Sequence, residues 1–198
     1  MADSGINKSR RRFLVVATSV VGAVGAVGVA VPFVSSWQPS ARARAAGAPV
    51  RADISRLEPG QRVTVAWRGR PVWIINRTPE MIARTQAIDV ASLADPDSKA
   101  PQQPAYIAGG LRSVKPDIGV LVGICTHLGC SPLFRPEPDA AGVGVDNWPG
   151  GFFCPCHASR FDLAGRVFNN VPAPTNLEVP PYRFETDDII VIGEDEEA

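Results

Sequence analysis

Histidine and cysteine are scarce in this chain, net charge is absent, and no segment repeats. The 198 residues include two histidines, four cysteines, two tyrosines and two methionines. Twenty basic side chains balance twenty acidic ones, so the formal net charge is zero. A neutral chain has no overall field to draw it onto nucleic acid. Without a repeat there is no basis for a solenoid or propeller. With 45% apolar and 20% charged residues, the chain is no disordered polymer. Its length suits one domain of ordinary size plus something extra. What charge exists is uneven. Lys8, Arg10, Arg11 and Arg12 stand against Asp3 in the first twelve residues, whereas Glu194, Asp195, Glu196 and Glu197 crowd the last five. That acidic tail reads as a solvated, frayed end.

Charge is missing altogether between Phe13 and Gln38. The apolar run Phe13–Val34, as a helix at ~1.5 Å per residue, reaches roughly 33 Å. A bilayer hydrocarbon core is ~30 Å thick, so the run is long enough to cross it. It exceeds the apolar stretch of an ordinary cleaved signal, and it lacks the polar face that a buried soluble helix would show. Trp37 stands where an interfacial aromatic anchor would stand. The basic cluster precedes the run, which predicts a cytoplasmic N-terminus over 1–12, an anchor over 13–34 and an exported remainder; Arg42 and Arg44 weaken that asymmetry without reversing it. Ser9-Arg10-Arg11-Arg12-Phe13-Leu14 resembles a twin-arginine export signal, although Val15 stands where a Lys is common. Ala43-Arg44-Ala45 offers an A-x-A pattern, but so far past the run that an uncleaved anchor is expected. Gly22, Ala26 and Ala30, four apart, would let another helix approach closely.

Residues 35–50, SSWQPSARARAAGAPV, read as a flexible hinge of up to about 50 Å when extended. Residues 51–198 read as mostly β. Arg62–Trp67 and Pro71–Asn76 flank Arg68-Gly69-Arg70 as a hairpin. Thr78-Pro79-Glu80 starts a helix expected to run toward Leu93. Asp117–Cys125 reads as a buried strand, followed by strands at GFFC, RVF, YRFE and DIIVIG. The 18 glycines and 19 prolines fit many short strands joined by loops. The stretch from Ser131 to Gly151 yields no functional reading.

Every cysteine and histidine falls in one of two boxes, Cys125-Thr126-His127-Leu128-Gly129-Cys130 and Cys154-Pro155-Cys156-His157-Ala158-Ser159. Cys and His at such spacing suit zinc or an iron–sulfur group. A four-ligand zinc site on Cys125, His127, Cys154 and His157 would leave two thiols over. One Cys and one His per box suits a two-iron cluster better, with two Cys on one iron and two His on the other. Cys130 and Cys156 then remain, one per box, and in an oxidising compartment should pair.

C-T-H-L-G-C followed by C-P-C-H-x-S resembles the Rieske iron–sulfur proteins of the cytochrome bc complexes, the ubiquinol–cytochrome c reductases. The likeness extends to the export signal, the anchor, the Ala-rich hinge and a Pro-rich loop, Val171-Pro172-Ala173-Pro174 with Asn176–Pro180. It implies a Rieske-type antiparallel β-sandwich with a small cluster-binding subdomain at about 123–175, behind one transmembrane helix. It implies one [2Fe–2S] cluster, with Cys125 and Cys154 on the inner iron, His127 and His157 on the outer iron, and a Cys130–Cys156 disulfide. Leu128, Gly129 and Ser159 would surround the cofactor, the Ser159 hydroxyl bonding a cluster sulfur. Neutral imidazoles donate less charge than thiolates, which raises the potential. His157, with His127 beside it, would accept a hydrogen bond from quinol. The implied partners are a cytochrome b subunit, a c-type cytochrome, quinol and membrane lipid, with no nucleic acid, in a dimeric proton-translocating complex. The head would face the periplasm of a bacterial cell membrane. Two departures stand out. Phe161 replaces a Tyr that in many members bonds a ligand cysteine, so a lower potential is expected. Val171 replaces the Gly that often opens the Pro loop. Competing readings are the small Rieske subunit of another exported oxidoreductase, such as an arsenite oxidase, and, from a different class, a zinc-stabilised periplasmic binding module.

Overall fold

The computed structural model describes residues 7–195. Asp3, Glu196 and Glu197, counted in the charge distribution above, lie outside the described residues, as does the first half of the segment 1–12. Two compact units are present, one up to Ala45 and one from Ala46.

The first unit is dominated by helix α1, Lys8–Ser36. Asn7 caps it, its side-chain oxygen accepting from the Arg10 N–H at 3.0 Å. The helix begins five residues before the apolar run and ends two after it, since nothing in the flanks breaks a helix once Asn7 has set its start. Pro32 lies within it. Its apolar side chains are exposed along its length, from Phe13 to Val34, and it is long and apolar enough to cross a membrane. Within the segment read as a hinge, Ala41–Ala46 forms a short helix, α2. Ala and Arg favour helix, and the Ser40 hydroxyl accepts from the Ala43 N–H at 3.1 Å.

Among the described residues the second unit is built on three antiparallel sheets of three strands each. Strands β2 (Arg62–Trp67) and β3 (Arg70–Asn76) form the expected hairpin, with Trp67 opposite Arg70. Strand β4 (Ile118–Val122) completes that sheet and is buried at every position. β1 (Val50–Asp53), β9 (Ile189–Ile192) and β8 (Tyr182–Thr186) make the second sheet, in that order. β5 (Leu133–Arg135), β6 (Gly151–Cys154) and β7 (Ser159–Asp162) make the third, which carries the second box.

Several expectations are corrected. Helix α3 covers Pro79–Gln86 and stops well short of Leu93. The Asp89 side chain takes the Ala91 N–H at 3.0 Å and starts a separate 3₁₀ turn, Val90–Ser92. The strand before the first box ends at Val122. There Gly123 turns to donate to Pro71 O at 2.8 Å and lies so close to Trp73 that a Cβ would fall 2.2 Å from the ring. The RVF segment forms no ladder, only single bridges from Val167 to Phe161 and from Phe168 to Leu93. Strands β1 and β5 were not expected, because both are short and half exposed.

The core holds more than apolar side chains. Asp162 is fully buried and Arg166 is 6% exposed. Asp162 accepts from the backbone N–H of Ala164 at 2.9 Å and of Arg166 at 2.8 Å, and from Arg166 Nε at 2.6 Å. Burial pushes the Asp162 carboxyl up, against the pull of Arg166 and those N–H groups. Arg112, also fully buried, donates to Ala164 O at 3.1 Å and Leu177 O at 2.8 Å; burial lowers its pKa to about 10. These charges tie the segment after β7 to the Pro-rich stretch, because each buried guanidinium must be given acceptors.

Candidate metal centre

Each box occupies a loop whose backbone is closed on itself. In the first, the Cys125 N–H donates to Cys130 O at 2.7 Å and the Gly129 N–H returns to Cys125 O at 3.1 Å. The return passes through Gly129 at φ +82°, a conformation that side-chain-bearing residues rarely adopt. Leu128 is pushed outward at the tip and is 71% exposed. In the second, Cys154 pairs with Ser159 across the β6–β7 hairpin, so Pro155–Ala158 form its tip. Cys154 and Ser159 are buried while Cys156 and His157 are exposed.

The loops are joined by the Cys130–Cys156 disulfide. Cys125 and Cys154 stay as free thiols, both buried. The imidazoles of His127 and His157 meet edge to face with ring centres 4.6 Å apart. The first loop is also tied to the Pro-rich loop, since the Thr126 hydroxyl donates to Thr175 O at 2.7 Å. The Ser159 hydroxyl accepts from the Ala173 N–H at 3.1 Å. Asn176 then anchors the loop from behind, taking the Val167 N–H at 2.8 Å and donating to Asp95 O at 2.8 Å. The predicted site residues are thus brought together, Leu128 and Gly129 at the rim and Ser159 at the base. Sequence reasoning assigned no anchoring role to Thr126 or Asn176; a polar side chain one step from a candidate ligand was the available signal for Thr126, and for Asn176 only its place in the Pro-rich loop.

The donor set fits a metal group. Burial pushes the Cys125 thiol up, and the neighbouring Cys154 adds to that, while the His127 backbone N–H and the Ser159 hydroxyl pull it down. Hydrogen bonds from those two donors would favour a thiolate. The Nδ1 atom of His127 is buried without a hydrogen-bond partner among the described residues. A buried imidazole nitrogen left without a partner is costly unless its lone pair is used, and metal coordination uses it. The Cys130, Cys154 and Cys156 sulfurs also lie within 4.8 Å of one another. Two of those are joined to each other, so this trio offers one thiol and is no metal site by itself. The exposed side chains of Leu128 and His157 put the outer end of the centre at a surface tip. A cavity of about 340 Å³ near Trp148 and Phe168 includes no residue of either box.

A β-built head with two sulfur and two imidazole donors on clasped loops is the arrangement of a two-iron electron carrier. The comparisons narrow that class. Residues 49–182 match the family described as "Rieske [2Fe-2S] domain". Residues 1–40 match that described as "Ubiquitinol-cytochrome C reductase Fe-S subunit TAT signal". A relative from Allochromatium vinosum, the "Ubiquinol-cytochrome c reductase iron-sulfur subunit", is 60% identical over 195 residues, covering 98% of this chain and 93% of that protein. Its namesakes from Bradyrhizobium diazoefficiens, 42% identical over 97% of this chain and 98% of that protein, and Blastochloris viridis, 43% identical over 98% of each, are similar throughout. This chain belongs to the family of Rieske iron–sulfur subunits of ubiquinol–cytochrome c reductase.

Proposed function

We propose that Cys125 and Cys154 hold the inner iron and His127 and His157 the outer iron of the [2Fe–2S] cluster by which this subunit carries electrons out of quinol. One observation carries the ligand set: two buried free thiols and a buried, unpartnered imidazole nitrogen converge from two loops that a disulfide clasps. The cluster supplies one-electron redox chemistry, which quinol oxidation in single steps requires. The protein's part is positioning. Hydrogen bonds from the Ser159 hydroxyl and the His127 N–H would stabilise negative charge on the Cys125 sulfur. His157, exposed on the hairpin tip, accepts a hydrogen bond from the quinol hydroxyl at its outward ring nitrogen and takes the proton that leaves with the electron. Leu128, exposed at the tip of the first loop next to His127 in the chain, gives the quinol site an apolar rim.

The chain acts as a subunit of the cytochrome bc1 complex, which implies cytochrome b and cytochrome c1 as its neighbours, and α1 anchors it to the membrane. The finer reading is that the complex is dimeric, that the basic flank Lys8–Arg12 stays cytoplasmic, and that the head lies in the periplasm. Residues 35–50 serve as a tether that lets the head serve quinol and cytochrome in turn. A small subunit of some other exported oxidoreductase is disfavoured by the match of both the export segment and the head to this family.

The test is metal analysis of the natively produced full chain. Two irons and two acid-labile sulfides per chain are expected, with loss of both on Cys125→Ala or His157→Ala. Stoichiometric zinc without iron would overturn the ligand assignment.

A further inference from the structure

The Cys154 sulfur lies within 4.8 Å of both sulfurs of the Cys130–Cys156 bridge. Cys154 is a free thiol, and the bridge is the one disulfide among the described residues. A thiol held against a disulfide is the ground state of thiol–disulfide exchange, which needs proximity and a free sulfur lone pair but no oxidant.

We propose that Cys154 is an exchange nucleophile toward this bridge, held in check by metal ligation, so that loss of the cluster moves the disulfide from Cys130–Cys156 to Cys130–Cys154. The proposal rests on the reading of Cys154 as a ligand, since bound iron would occupy the lone pair that attacks. In the step, the Cys154 sulfur forms a bond to Cys130 Sγ and the Cys130–Cys156 bond breaks. Cys156 Sγ departs with the electron pair and picks up the proton that Cys154 gave up. One disulfide is consumed and one formed, so no electrons enter or leave. Attack at Cys130 is favoured over Cys156 on two grounds. Only Pro155 separates Cys154 from Cys156, and a bridge across a residue of fixed φ would strain both the ring and the hairpin tip. Cys156 is also the exposed end of the clasp, where water stabilises the departing thiolate.

The cluster thereby acts as a protecting group for the pairing. Four free thiols can pair in three ways. With Cys125 and Cys154 on iron, only Cys130 and Cys156 remain, and one pairing is possible. Loading must then precede oxidation of the head. A head that loses its cluster afterwards locks a ligand into a bridge and cannot be refilled until a thiol reductant resets it.

The experiment uses the full chain in detergent, loaded, with and without anaerobic removal of iron by a chelator and with no added thiol. Remaining thiols are alkylated, and cross-linked peptides are mapped by mass spectrometry. The loaded protein should show Cys130–Cys156 alone. The stripped protein should accumulate Cys130–Cys154 with Cys156 alkylated, still one bridge per chain, and should take up iron and sulfide again only after thiol reduction. Two variants separate this from mere unfolding. Cys125→Ser keeps Cys154 and should show the moved bridge, whereas Cys154→Ser should retain Cys130–Cys156 after the same treatment. A stripped native chain that keeps Cys130–Cys156, with Cys125 and Cys154 both alkylated, overturns the exchange. Two irons retained in Cys154→Ala would instead overturn the ligand reading on which it stands.

Discussion

Phe161→Tyr should raise the cluster potential. Phe161 lies two residues beyond Ser159 on β7, so both side chains leave the same face of the strand. Both are fully buried. Ser159 stands across the hairpin from Cys154, and its hydroxyl pulls the Cys125 thiol down. A hydroxyl added to the Phe161 ring therefore enters an enclosed region on the thiolate side, where by resemblance it donates to a ligand cysteine. One such hydrogen bond is worth about 1 kcal/mol. If it favours the reduced cluster by that amount, the midpoint rises by about 40 mV for one electron. The alternative outcome has its own signature. A buried hydroxyl with no partner costs about 1–3 kcal/mol, which for a head of this size lowers the melting temperature by about 2–12 °C. An EPR-monitored redox titration and a thermal scan on the same preparation separate the two. A higher potential with the melting temperature held is expected. An unchanged potential in a variant whose structure shows the hydroxyl against a ligand sulfur would refute the reasoning.

Three further outcomes follow from the same geometry. Asp162→Asn leaves Arg166 buried without its counter-charge and should cost about 3–5 kcal/mol, lowering the melting temperature by about 6–20 °C; the double variant Asp162→Asn with Arg166→Met should recover part of that, and full additivity of the two changes would show that the pair does not couple. Replacing Cys130 and Cys156 together by Ala opens a loop of 26 residues, worth at most about 3–4 kcal/mol by chain entropy because the cluster ties the same loops; cluster lifetime and potential should both fall, and a titration showing both unchanged would make the bridge dispensable. Several prolines introduced over residues 41–48, length kept, should leave iron content and potential normal while quinol–cytochrome c turnover in the assembled complex drops sharply; full turnover with a demonstrably rigid tether would end the shuttle reading.

The chemistry of the centre was legible because ligand chemistry is a property of residue type and spacing. Confinement of every Cys and His to two boxes pointed to the four candidates, and Cys130 and Cys156 followed as the leftover pair. The hairpin at Arg68-Gly69, the start of α3 at Pro79 and the long apolar helix were legible too, since turns, caps and hydropathy act within a few residues. The end of α3 was misjudged because Asp89 redirects the chain through its own side chain. The RVF segment was misjudged because strand-like composition does not supply a partner.

What the sequence determined by itself is local: a helix able to span a bilayer, and two short boxes that can bind metal only if brought together. Tertiary structure decided the rest. It closed the clasp between two loops, laid Thr126 against the Pro-rich loop, and buried Asp162 with Arg166 and Arg112 so that the segment behind that loop cannot shift. It also set the Cys154 thiol beside the disulfide. These pairings join residues far apart in the chain. Their free energy depends on burial and on which acceptors the fold leaves within reach, and neither quantity exists until the sheets have packed.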